Sequence, residues 1–119
     1  MGTLEEILGN TPDIRILDFL IDNARFDYTA TEIGKYTRLS KPTVLDAIRK
    51  MLRNNLITET RTVGRMNFYA LADNDITNAF GAATLAHTLL LSEDMVESPE
   101  KIVGIASKSR IPHKEELYA

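Results

Sequence analysis

The chain has 119 residues, 44% of them hydrophobic, enough for one domain with a modest core plus an appended element. It holds no cysteine and only two histidines, His87 and His113, which excludes disulfides, thiolate chemistry and most zinc sites. The net charge of −3 hides an asymmetry: Lys35 to Arg65 carries eight basic residues against Asp46 and Glu59, a net of +6, while the remainder carries −9. One face is therefore expected to meet an anion. No apolar run approaches the ~20 residues that span a bilayer, and MGTLEEILGN has acids where a leader would have bases. The expectation is a cytoplasmic protein without membrane contact.

The first signal is Thr3-Leu4-Glu5-Glu6, a capping box that predicts a short helix to about Leu8, stopped at Gly9. Asn10-Thr11-Pro12-Asp13 then supplies a polar cap, a proline whose missing N–H costs nothing in the first turn, and an acid at the positive end of the dipole. Ile14, Leu17, Leu20 and Ile21 form the apolar stripe of this second helix, widened by Ile16 and Phe19, and it ends near Asn23. Thr29-Ala30-Thr31-Glu32 is another capping box, opening a helix through Thr37 with Ile33 and Tyr36 facing inward.

Arg38 and Leu39 form a short connection, after which Ser40 caps a further helix with Pro42 in its first turn. Val44, Ala47, Ile48 and Met51 give that helix one buried face. Two helices joined by so few residues must cross steeply, as in a helix-turn-helix. The opposite side of the second helix presents Pro42, Asp46, Arg49, Lys50 and Arg53, with Thr43 beside them. Asn54 and Asn55 end it, asparagine standing in for glycine at the left-handed cap. A strand over 57–62, a turn from Val63 to Met66 and a return strand over 67–71 follow, with Phe68 and Tyr69 as hairpin core. The predicted fold is mainly α with a small β-hairpin, and a hairpin with a Gly-Arg tip in this position is a wing.

The run from Leu4 to about Asn74 resembles the small winged helix-turn-helix transcription regulators common in archaea, related to the MarR and ArsR groups. The residues that carry the likeness are Gly9-Asn10-Thr11-Pro12, Ile16 to Leu20, Thr31-Glu32-Ile33, Leu39 to Val44, Leu56-Ile57, Val63-Gly64-Arg65 and Phe68 to Leu71. The resemblance implies double-stranded DNA as partner, the 40–54 helix in the major groove and the 57–71 wing on the minor groove or backbone. It implies base or phosphate contacts by Lys41, Thr43, Asp46, Arg49 and Lys50, with Arg65 on the wing. Charge clustering adds Arg38 at the turn, Arg53 on the helix and Arg61 on the wing, and Ser40 completes the set at the helix start. Taken singly, Arg49, Lys50 and Arg53 read first as solvated charges or intrahelical partners of Asp46; the clustering favours DNA. Two departures stand out: Arg38 occupies a turn where the family often has glycine, and Asp46 puts an acid on the groove face.

After the wing, Asn74 or Asp75 caps a helix from Ile76 to about Leu91. Ile76, Phe80, Ala83, His87 and Leu90 recur at i+3 or i+4, and Ala79, Gly81, Ala82 and Ala86 are small enough for a close neighbour. The expected arrangement is a winged-helix domain over 1–74 and a dimerisation element over 75–119. The homodimer interface would use Ile76, Ala79, Phe80, Ala83, Ala86, His87 and Leu90, placing two half-sites ~34 Å apart. The alternative is a helix folded back on its own domain. His87 reads as an interface residue, since no second ligand lies at helical spacing, and no metal or cofactor is expected. Ser98-Pro99-Glu100-Lys101 suggests a last helix start with Ile102, Val103 and Ile105 as its apolar set, and 107–119 is expected to fray. Neither a glycine-rich phosphate loop nor a nucleophile beside a histidine is present, so the chain does not read as an enzyme. Two further readings stay open: a winged helix that binds protein or RNA, and a regulator that answers to a small-molecule effector.

Overall fold

A computed structural model of the chain describes residues 2–92. The elements run α1 (Thr3–Leu8), α2 (Pro12–Asp22), β1 (Tyr28–Thr29), α3 (Ala30–Thr37), α4 (Lys41–Arg53), β2 (Ile57–Val63), β3 (Met66–Leu71) and α5 (Asp75–Leu91). The helix start expected at Ser98 to Lys101, its apolar set and the 107–119 tail lie outside the described residues. Among those residues no helix is long and apolar enough to cross a membrane.

Local capping sets most of the helix starts. The Thr11 hydroxyl accepts the Ile14 N–H at 3.3 Å, and Thr29 and Glu32 form the reciprocal box expected of them, at 3.2 and 2.9 Å. At α1 the expected box does not form. Thr3 is the first helical residue, preceded by Gly2, and the Leu4 and Glu5 N–H groups donate instead to the two carboxylate oxygens of Asp18, at 3.0 and 2.9 Å. A charged acceptor brought in from α2 satisfies two first-turn donors at once and displaces the weaker hydroxyl cap.

The core lies where α2, α3 and α4 meet one another and the sheet, built on Leu17, Leu20, Ile33, Val44, Ile48 and Met51, with Ile57 and Tyr69 from the strands. Ile16, read as widening the α2 stripe, is fully buried, whereas Ile14 and Ile21 stay half-buried. Tyr36 does not face inward. Ala30, Ile33, Gly34 and Thr37 fill the inner side of α3, and Tyr36 is 59% exposed. Its ring stacks on Phe19 at 5.3 Å and meets the edge of Tyr28 at 5.9 Å.

The sheet has three antiparallel strands in the order β1-β3-β2. β1 went unread in the sequence because two residues carry no periodicity. It pairs Tyr28 with Tyr69 and Thr29 with Phe68. The hairpin turn is tighter than expected: strand pairing continues to Val63 and Met66, leaving only Gly64 and Arg65 at the tip, with Gly64 at φ +61°. Tyr69 is core, but Phe68 points to the other side and is half-buried, as alternation along a strand requires.

The first compact unit ends at Thr77, inside the first turn of α5, and the rest of α5 begins a second. Asn74 is the cap: its side-chain oxygen accepts the Thr77 N–H at 3.0 Å, and its own N–H donates to the Thr77 hydroxyl at 3.1 Å. The Asn74 amide also donates to the Asn55 carbonyl at 2.8 Å, tying this start to the end of α4.

Candidate functional site

The turn between α3 and α4 holds the left-handed backbone that its length demands. Arg38 occupies φ 62°, ψ 43°, a conformation that costs a side-chain-bearing residue about 1 to 2 kcal/mol. Arg38 thus meets the turn with an unfavourable dihedral. Its N–H and that of Leu39, at 3.0 Å, both donate to the Gly34 carbonyl. A Cβ at Gly34 would stand 2.8 Å from the Leu39 carbonyl oxygen and 3.5 Å from Val44 Cγ2. The glycine this crossing needs therefore lies within α3, where it lets the turn close onto the helix. The Arg38 side chain is exposed and borders an open polar cleft of about 580 Å³ with Arg15, Asp18 and Asp22. Burial, and then the charge of Asp18, raise the Asp22 carboxyl above the ordinary aspartate value.

Ser40 caps α4, its oxygen accepting the Thr43 N–H at 3.4 Å while its hydroxyl donates to Thr43 Oγ1 at 2.9 Å. The outer face beyond this cap carries Pro42, Asp46, Arg49 and Arg53, all exposed, opposite the buried Val44, Ala47, Ile48 and Met51. Arg49 Nη2 lies 2.6 Å from Asp46 Oδ1, and the two side chains remain 63% and 76% exposed. Lys50 is drawn off the face to Asp13 of α2, at 2.8 Å. Lys41 faces the hairpin, sharing with Leu45, Arg65 and Met66 a groove of about 460 Å³.

In the hairpin, Glu59 pairs with Tyr69 and Arg61 with Phe68, so Thr60 is an extra residue. Neighbours in a regular strand point to opposite faces; the bulge lets Thr60 and Arg61 converge on one carboxylate. The Thr60 hydroxyl donates to Asp27 Oδ2 at 2.6 Å, and Arg61 donates to both oxygens at 2.9 and 3.1 Å. The guanidinium also lies 3.9 Å from the centre of the Phe68 ring. The hydrogen bonds from Arg61, and then from Thr60, hold the Asp27 carboxyl down at about 2, and donating to Asp27 raises the Arg61 guanidinium. Arg65 sits exposed at the tip. Lys41, Arg53 and Arg65 form no ion pair among the described residues.

The remaining candidates lie on α5. Ile76, Ala79, Ala83 and Leu90 are exposed, and Phe80, Ala86 and His87 half-buried. His87 Nδ1 is shielded from solvent and has no hydrogen-bond partner among the described residues. In those residues no group of three His, Cys, Asp or Glu side chains is placed to hold a metal ion.

No family model and no curated protein sequence matches the chain. Solved structures do. The homodimeric winged helix-turn-helix DNA-binding domain of a possible ArsR-family regulator from Mycobacterium bovis superimposes with a TM-score of 0.61 at 19% identity, covering 80% of this chain and 84% of that one. MepR, a transcription regulator of the Staphylococcus aureus multidrug efflux pump MepA, gives 0.58 at 20% identity, over 88% and 78%. The adhesin competence repressor AdcR of Streptococcus pyogenes gives 0.54 at 16% identity, over 88% and 81%. The fold is the winged helix-turn-helix.

In this winged helix, α3 and α4 are the helix-turn-helix pair and β2–β3 is the wing. The structure brings Lys41 and Arg65 to one groove and keeps Asp46, Arg49 and Arg53 on one outward face, but turns Lys50 to Asp13 and Arg61 to Asp27 and sets Arg38 on the cleft beside Arg15. Asp13, Asp27 and Gly34 were not legible as site residues. Asp13 reads locally as a helix-start acid, and Asp27 as an isolated loop charge 34 positions from the arginine it binds. Gly34 carried a signal, since an interior helix glycine implies a close backbone approach.

Proposed function

We propose that the chain is a sequence-specific regulator of double-stranded DNA, acting as a homodimer, with α4 in the major groove and the β2–β3 wing on the minor groove or backbone. The observation that carries this is the exposed face of α4. The side of α4 opposite its buried Val44, Ala47, Ile48 and Met51 is exposed and bears Arg49 and Arg53, and Lys41 and Arg65 both line the groove between helix and wing. An α-helix with one free side matches the width of a major groove, and the wing tip lies where a flanking backbone would run. The DNA-binding domain among the structural neighbours supports the same reading.

The dimer is proposed on α5. From Ile76 to Leu91 it carries no Asp, Glu, Lys or Arg, and apolar residues occupy every side of it. Ile76, Leu85, Leu90 and Leu91 are 50 to 69% exposed in the single chain. A helix that is apolar all round needs cover, and a second copy supplies it symmetrically. Selection of bound sequences from random duplexes, with sedimentation of the full chain, tests both parts. The expected motif is a palindrome with half-sites about one turn (~34 Å) apart, bound by a dimer. Roughly five phosphate contacts would give a log-log salt slope of about −4.5. Equal affinity for random and selected duplexes overturns the DNA reading, and a micromolar monomer overturns the dimer.

A further inference from the structure

Three cations of the basic island are held by carboxylates, and the pairings leave them with different capacities. Lys50 is pulled sideways to Asp13. Arg61 spends Nε and Nη2 together on the two oxygens of Asp27, so the donor edge those atoms form is closed. Arg49 is different. Its partner Asp46 lies one turn earlier on the same outward face, and their contact uses Nη2 alone. A guanidinium has two paired-donor edges, Nε with Nη2 and Nη1 with Nη2. Each edge uses a different Nη2 hydrogen, so whichever one Asp46 takes, the other edge keeps both donors. Arg49 is therefore oriented and still able to make a two-point contact.

Asp46 also restricts the acceptor. A phosphate reaching Arg49 would bring its charge beside a carboxylate that is 76% exposed, whereas a base edge brings no net charge. Guanine presents two adjacent acceptors in the major groove, O6 and N7, at the spacing of an arginine fork. We propose that Arg49 is the specificity-determining residue of this surface, reading O6 and N7 of a guanine, with Asp46 as the positioning residue that sets its fork and steers it from phosphate. This rests on the DNA-reading function proposed above.

The test is selection from a random duplex library with the full chain, alongside its Arg49→Ala and Asp46→Asn variants. The unsubstituted chain should enrich a guanine in each half-site that Arg49→Ala no longer selects, with the rest of the motif unchanged. Replacing that guanine with adenine should weaken binding roughly 5- to 150-fold. 7-Deazaguanine, which lacks only the N7 acceptor, should produce part of that loss, and Arg49→Ala should be indifferent to it. Asp46→Asn should weaken the guanine preference and steepen the salt slope of the dimer by about two units, as the released arginine of each copy reaches a phosphate. If Arg49→Ala keeps the motif and instead flattens the salt slope of the dimer by about two units, one per copy, Arg49 is a phosphate contact and the inference falls while DNA reading stands. An Asp46→Asn chain identical to the unsubstituted one overturns the positioning role. An unsubstituted chain that enriches no sequence overturns the function itself.

Discussion

Replacing Asp18 with alanine should loosen the amino-terminal helix far more than its single position suggests. Asp18 is 6% exposed, and its carboxylate takes the N–H groups of Leu4 and Glu5, in the first turn of α1, at 3.0 and 2.9 Å. Alanine removes both acceptors, and Leu4, itself buried, is left with a donor that water reaches poorly. A hydrogen bond to an ionised acceptor contributes roughly 1.5 to 3 kcal/mol. Two bonds share one carboxylate whose own desolvation is relieved by the substitution, so the expected net loss is about 3 kcal/mol. For a domain of this size that lowers Tm by roughly 12 to 24 °C. Thermal unfolding followed by circular dichroism at fixed protein concentration reads it, with Asp18→Asn, which keeps one acceptor, falling between the two. Amide exchange at Leu4 and Glu5 should accelerate in the same order. Asp18→Asn should also let the Asp22 carboxyl titrate lower, because it removes the second of the two influences that raise it. An Asp18→Ala midpoint within about 2 °C of the parent would show that α1 is held by something other than this carboxylate.

Gly34→Ala should cost about 1 to 3 kcal/mol in urea titrations, because the added Cβ meets a backbone carbonyl, and parental stability would refute the close approach. The Asp27 carboxyl is depressed, so its clasp on the wing is complete above the ordinary aspartate range and is lost as pH falls through about 2. Carboxyl-carbon NMR should place the Asp27 midpoint there and find it raised toward the ordinary value in Arg61→Ala, where Thr60 still donates; an unmoved midpoint would exclude Arg61 as its cause.

The elements legible in the sequence are those whose causes are local. Thr11, Thr29 and Ser40 sit within three residues of the N–H groups they accept, and the buried face of α4 follows from rotation about one axis. That rotation also located the outward stripe of Asp46, Arg49 and Arg53. What stayed hidden depends on residues that meet only after folding. Asp18 reaches α1 across 14 positions, and Asp27 reaches the wing across 34. Tyr36 had the right spacing for the core, but Gly34 and Thr37 take that space, and its ring turns to Phe19. The island of positive charge was visible as a count, whereas which of its members are already neutralised was not. Asp13 and Asp27 subtract Lys50 and Arg61 from the charge open to a partner, leaving Arg49 beside Asp46 and, outside any ion pair among the described residues, Lys35, Arg38, Lys41, Arg53 and Arg65.

Thr29 belongs to two structures at once: it pairs with Phe68 as the last residue of β1 and caps α3 with its hydroxyl. There is no slack between sheet and helix. A residue inserted between Tyr28 and Ala30 would force the chain to surrender either the strand register or the helix start, while extra length at Gly64 and Arg65 disturbs neither. Sheet edge and helix pair are thus joined at Thr29 with no residue in between.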